Sequence, residues 1–195
     1  MIELYVNESS RVFGGYQWRF EDSRYIVLGV PFDSTSSYRP GSREAPSRIR
    51  EAATNLEYYS VRSGVDLEEV AIHDLGDLIS VPGDAQTTLS RLAEVARALY
   101  DKDKIPVFLG GEHLITLSTY TSLPHDTCMV YFDAHFDLRE EYLGVKLSHA
   151  CVLRRIIEQR GPDKIIIIGV RGVSREELVY AEKNGIPYIL SLIHI

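Results

Sequence analysis

The chain has 195 residues, 45% hydrophobic and 25% charged, which is enough for one domain with a sizeable core. Its formal net charge of −7 argues against a nucleic-acid partner and suits a small cationic ligand. No apolar run approaches the roughly 20 residues of a membrane span, and Met1-Ile2-Glu3-Leu4-Tyr5 lacks the basic and apolar segments of a signal peptide, so no membrane partner and a cytoplasmic location are expected.

Residues 1–23 are mixed and polar and read as a surface arm, whose aromatics, Trp18 among them, pack either on the domain or on another subunit. Tyr25 to Val30 is uninterruptedly apolar, the pattern of a strand buried on both faces. A long loop from Pro31 to Gly41 follows, and Ala45-Pro46 opens a helix to about Asn55, with the proline at a tolerated first-turn position. Val70-Ala71-Ile72 predicts a short strand that leads into His73-Asp74-Leu75-Gly76-Asp77, read as a turn held by hydrogen bonds rather than a set of ligands.

Asp84 to Lys102 carries Leu89, Leu92, Ala93, Ala96 and Leu99 at helical spacing, the signature of a packing helix. Ile105 to Leu109 is another buried strand, followed by Gly110-Gly111-Glu112-His113 and a helix over 114–122. His125 falls in a turn and is expected on the surface. The stretch from Cys128 to Phe132 predicts a buried parallel strand. Ser148 caps a helix closed by Gly161, Ile165 to Val170 is a strand, and Ser174 with Glu177 is a capping-box signature for a helix to about Lys183. A last strand starts in 186–195. Cys128 and Cys151 are expected to be reduced core residues. Strands alternating with helices give a parallel sheet covered on both faces, in a single domain over 1–195.

Chemistry concentrates after two of these strands. In Asp133-Ala134-His135-Phe136-Asp137, extended backbone would point the three polar side chains the same way. Two carboxylates and an imidazole without a thiolate favour Mn, Fe, Co or Zn. Taken alone, the triplet fits a turn-capping loop equally well. His113, after the other strand and a glycine turn, adds a second metal-type residue at the strand ends where α/β sheets bind ligands.

Gly110-Gly111-Glu112-His113 and Asp133-Ala134-His135-Phe136-Asp137 resemble two signature motifs of the ureohydrolases, the arginases and agmatinases. Pro31-Phe32-Asp33 and the segment from Tyr38 to Arg50 are similar to the family's early motif. Tyr142-Leu143-Gly144, Ser148-His149 and Arg154-Arg155 resemble the agmatinase branch. The resemblance implies a three-layer α/β/α fold with a mostly parallel sheet, of which this chain supplies the N-terminal part, truncated at the C-terminus. It implies that His113 binds one metal, that Asp133 bridges two, that His135 holds the second and that Asp137 completes the first. The metals implied are a binuclear Mn pair whose shared hydroxide attacks a guanidinium carbon, with His149 as the catalytic proton shuttle.

The chain departs from the family's common residues at Glu112 and Leu114, positions that bear on hydrogen bonds around the ligand. The loop from Leu138 to Lys146 has no Asn to hold an amino-acid end, so agmatine, split to putrescine and urea, is the expected substrate. Guanidinobutyrate and aminopropylagmatine are alternatives. A metal-dependent deacetylase is a rival reading, but such enzymes carry tandem histidines and this chain has no two adjacent histidines. The family's second Asp-x-Asp motif is absent, so a catalytically incomplete fragment or non-catalytic relative is the other rival, and the chain alone is expected to be inactive. A homo-oligomer, trimer or hexamer, is implied by the resemblance.

Overall fold

A computed structural model describes residues 2–191, which fall into two compact units, Met1–Ile115 and Thr116–Ile195. The first unit is built on a four-stranded sheet. Its strands are β1 (Val6–Asn7), β2 (Tyr25–Val30), β5 (Ile72–Leu78) and β6 (Ile105–Gly110), in the order β1-β5-β2-β6. β2 pairs in parallel with both β5 and β6, and its residues from Ile26 to Val30 are all buried, as an apolar run in a central strand requires. A small antiparallel pair, β3 (Tyr59–Ser60) with β4 (Val65–Asp66), stands apart from this sheet and has no counterpart in the sequence expectations.

Helix α1 (Ala45–Ala53) follows the loop, with Pro46 in its first turn. Helix α2 (Ala85–Tyr100) starts where the Asp84 carboxylate accepts the Thr87 N–H at 2.9 Å. It buries Leu89, Leu92, Val95, Ala96 and Leu99 as one stripe. Each fully buried leucine contributes roughly 1.5–3 kcal/mol.

The structure corrects the expectation for 73–77. His73, Asp74, Gly76 and Asp77 are not a turn but the middle of β5, alternating in burial along it. Asp and Gly are poor strand formers, and the compensation lies in α1. Arg50 is completely buried. Its guanidinium meets Asp74 at 2.7 and 2.8 Å, Asp77 at 2.6 Å and the Gly76 carbonyl at 2.8 Å. His73 plays a structural part as expected, with Nδ1 2.8 Å from the Trp18 carbonyl and Phe20 packed edge-on at 5.6 Å.

The arm also resolves. β1 pairs antiparallel with β5, so the sheet is mixed rather than all parallel. The Phe13 N–H donates to Asp74 at 2.8 Å, and the Tyr16 and Tyr58 rings meet edge-on at 6.0 Å, so arm aromatics pack on their own unit.

The second unit has an all-parallel sheet ordered β7 (Met129–Phe132), β8 (Ile165–Val170), β9 (Tyr188–Leu190). Helix α3 (Ile115–Thr121) precedes it, and α4 (Val152–Arg160) and α5 (Arg175–Lys183) connect its strands. Phe136, Leu153, Ile156, Ile167 and Ala181 are fully buried. Gly161 ends α4 at φ 77°, a left-handed position that glycine adopts without strain. Ser174 and Glu177 form the expected capping box of α5.

Cys151 is buried as expected, but Cys128 is exposed. The strand begins only at Met129, leaving Cys128 before it and outside the core, and the strand expected to be buried alternates instead, with Met129 and Tyr131 buried and Val130 and Phe132 exposed. The part of the expected last strand in 192–195 lies outside the described residues. Among the described residues, no helix is long and apolar enough to cross a membrane.

Candidate metal centre

In the first unit, the chain leaves β6 at Gly110 and turns toward His113. Gly111 has to be glycine, because a Cβ there would stand 1.9 Å from the Phe32 carbonyl oxygen. This close approach lets Gly111 N–H donate to Val30 at 3.1 Å and Glu112 N–H donate to Phe32 at 2.8 Å. The Glu112 carboxylate is buried. It accepts the Thr35 N–H at 2.8 Å and the Thr35 hydroxyl. The longer acid at this position is therefore used to tie the 31–44 loop to the turn that carries His113.

Asp33, also buried, orders the same loop by accepting the Gly41 N–H and the Arg43 Nε–H, each at 2.7 Å. The Arg43 hydrogen bond holds its carboxyl below the ordinary range, against the upward push of burial. His113 itself is half-buried.

In the second unit, Asp133 follows β7 directly, with its N–H donating to Ile168 at 3.1 Å. The loop is not extended, so the expected alternation fails. Asp133 Oδ1 accepts the His135 N–H at 2.8 Å, an Asx turn that reverses the chain. Phe136 is thereby driven into the core. Asp137 takes a left-handed φ of 51°.

The turn nonetheless brings carboxylate oxygens of Asp133 and Asp137 within 4.8 Å of one another. The His135 ring is largely exposed, its Nδ1 3.3 Å from Asp133 Oδ1. Gly172 borders it so closely that a Cβ there would come within 3.1 Å of the ring.

Asp137 is buried and receives the Tyr131 hydroxyl at 2.8 Å. Burial, and then the Asp137 charge, push the Tyr131 phenol well above its ordinary value of 10.0. It therefore stays protonated and donates. The loop is fixed on every side. Ala134 carbonyl accepts from Arg171 and Gly172, Asp137 carbonyl accepts from Arg154, and Glu177 Oε1 accepts the Leu138 N–H at 3.2 Å.

His149 opens a short 3-10 turn, His149–Cys151, whose cap is the Ser148 hydroxyl. Its ring meets Tyr142 edge-on at 5.7 Å, and its Nδ1 lies 3.5 Å from Ser148 Oγ.

The donor chemistry fits a hard divalent ion. Two carboxylates this close, one of them buried, repel each other, and a shared cation removes that repulsion. Among the described residues no cysteine joins these carboxylates, and the Cys151 thiol is buried and pushed up by desolvation.

The Arginase family model matches residues 23–191. The chain is 39% identical over 180 residues to an agmatinase of Bacillus cereus, covering 91% of this chain and 62% of that protein. It is 42% identical over 171 residues to an N(1)-aminopropylagmatine ureohydrolase of Thermococcus kodakarensis, covering 87% of this chain and 58% of that protein. Among solved structures, the agmatine ureohydrolase of Thermoplasma volcanium superposes with a TM-score of 0.86 at 39% identity, over 94% of this chain and 62% of that one. Proclavaminate amidino hydrolase of Streptomyces clavuligerus, at 22% identity and TM-score 0.83, shares the fold. The chain thus spans 58% to 64% of the length of these proteins.

Proposed function

The chain belongs to the arginase family, and on that premise we propose that the protein hydrolyses a small guanidinium compound, agmatine foremost, to urea and an amine. The observation that carries this reading is the family match over 23–191. The carboxylate pair Asp133–Asp137 supports it. We assign His113, Asp133, His135 and Asp137 as the ligands of a binuclear Mn site. When bound, the ions act as Lewis acids that lower the pKa of an attacking water.

The protein's own groups have three tasks in this reading. Asp133 and Asp137 supply the negative charge that holds the site together. Tyr131 keeps Asp137 oriented through its hydroxyl. His149 carries a proton to the leaving nitrogen from Nε2, the ring nitrogen turned away from the Ser148 contact at Nδ1. The edge of Tyr142 limits the tilt of that ring.

Substrate choice rests on the loop after Asp137, Leu138 to Lys146, which offers Arg139, Glu140 and Glu141 but no Asn to bind an amino-acid carboxylate. Two relatives named for agmatine or aminopropylagmatine agree with a polyamine-type guanidine. The test is urea release by the Mn-loaded protein, in a version that includes the family's second Asp-x-Asp motif, from agmatine, aminopropylagmatine, guanidinobutyrate and arginine in parallel. Urea from agmatine well above that from arginine is expected. A preference for arginine would refute the substrate assignment, and release of acetate from acetylated amines without any urea would refute the reaction class.

A further inference from the structure

Glu177 does more than a capping-box residue requires. In a capping box the N3 carboxylate reaches back to the N-cap and sits at the helix surface. Here Glu177 is only 4% exposed. Its two oxygens face different elements. Oε2 accepts from Ser174, from N–H at 3.0 Å and from the hydroxyl at 2.8 Å. Oε1 turns away from the helix and accepts the Leu138 N–H at 3.2 Å. That N–H belongs to the peptide that follows Asp137. Asp137 is held at φ 51°, a conformation that L-residues keep only where the surroundings over-determine it.

The same carboxylate lies 3.7 Å from Arg139 Nε. The Arg139 guanidinium in turn stands over the Tyr142 ring at 5.3 Å, and Tyr142 meets His149 edge-on at 5.7 Å. One buried carboxylate therefore stands behind both the Asp137 turn and the ring stack that ends at His149. A buried anion is retained only when donors and a counter-charge compensate its lost hydration, and this one has both.

We propose that Glu177 is a positioning residue for Asp137: by accepting the Leu138 N–H it fixes the left-handed turn that aims the Asp137 carboxylate at a divalent cation. The proposal rests on the reading of Asp137 as a metal ligand. It makes a distinction that a helix cap alone does not make. Removing Ser174 Oγ damages the cap and leaves the Leu138 acceptor in place, whereas replacing Glu177 with an apolar side chain of similar size removes both.

The experiment compares wild-type protein with Glu177→Leu, which has no acceptor, and with Glu177→Asp, Ser174→Ala and Asp137→Asn. Free Mn²⁺ is followed by electron paramagnetic resonance during titration, the Leu138 amide by hydrogen exchange, and folding by circular dichroism. Glu177→Asp keeps the charge but is one methylene short of Leu138, so it reports even if Glu177→Leu does not fold. Both Glu177 variants should weaken Mn²⁺ binding about 10- to 100-fold, as loss of an outer-shell partner does, while Ser174→Ala stays within about twofold of wild type. Leu138 exchange should accelerate in the Glu177 variants and not in Ser174→Ala.

Equal losses in Ser174→Ala and the Glu177 variants would reduce Glu177 to a cap and overturn the proposal. So would wild-type Mn²⁺ affinity in a folded Glu177 variant while Asp137→Asn is impaired, a result that leaves the metal reading intact. Unchanged affinity in Asp137→Asn is a separate outcome. It would remove the metal reading itself, and the proposal with it.

Discussion

Replacing Tyr131 with Phe isolates a single interaction. The ring stays, so no cavity opens, and what disappears is one O–H donor to the buried Asp137 carboxylate at 2.8 Å. A hydrogen bond to a charged group contributes about 1.5–3 kcal/mol, and here the loss also leaves a buried acceptor with one donor fewer. For a chain of this size that corresponds to a fall in melting temperature of about 3–12 °C.

The pH dependence makes the test sharper. Tyr131's phenol is raised in the folded state, by burial first and by Asp137 second. A group of this sign contributes its full stability below its unfolded value of about 10, and loses it as pH rises through the folded value. The gap between wild type and Tyr131→Phe should therefore be constant from pH 7 to 9 and shrink above about pH 10. Scanning calorimetry on the metal-free proteins at several pH values measures it. A melting difference under about 1 °C at pH 7, or a gap that widens above pH 10, would refute the reasoning.

Other perturbations probe separate parts of the molecule. In a version of the protein that includes the family's second Asp-x-Asp motif, His149→Ala should lower turnover roughly 10²- to 10⁴-fold with bound Mn unchanged by elemental analysis, and loss of metal would instead make His149 a ligand. Arg50→Ala strands the Asp74 and Asp77 carboxylates in β5 and should cost about 3–5 kcal/mol in urea denaturation, against less than about 1 kcal/mol if the cluster is incidental. Gly111→Ala drives a methyl into the Phe32 carbonyl, so a soluble variant with wild-type melting behaviour and wild-type Mn affinity would contradict the close approach seen there.

Several features could be read from residue order alone, because their causes are local. The apolar runs of β2, β6 and β8 mark strands without knowledge of their partners, but cover is another matter: β2 is buried almost throughout, whereas β6, expected to be buried, leaves Ile105 and Val107 exposed. The spacing of Leu89, Leu92 and Leu99 fixes the buried face of α2, and Asp84, Ser148 and Ser174 mark helix starts because their side chains satisfy nearby N–H groups. The motif around Asp133, His135 and Asp137 announces hard-metal chemistry through its donor types, whatever its backbone does.

Other features depend on contacts between residues far apart in the chain. The segment His73 to Asp77 has the composition of a turn, and it is a strand because Arg50, 24 residues before Asp74, neutralises its acids. Phe13 to Phe20 could have packed anywhere until β5 gave the arm its place. Tyr131 looked like one more apolar strand residue, and nothing in the pattern shows that its hydroxyl meets an acid six positions later. Glu177 was legible as a cap but not as the acceptor for Leu138, 39 residues earlier. The extended reading of Asp133, His135 and Asp137 failed for the same reason. An Asx turn and a left-handed residue are local in geometry, yet the acceptors and donors that hold them, Arg154, Arg171 and Glu177, come from α4, the segment just after β8, and α5, and only folding places them there.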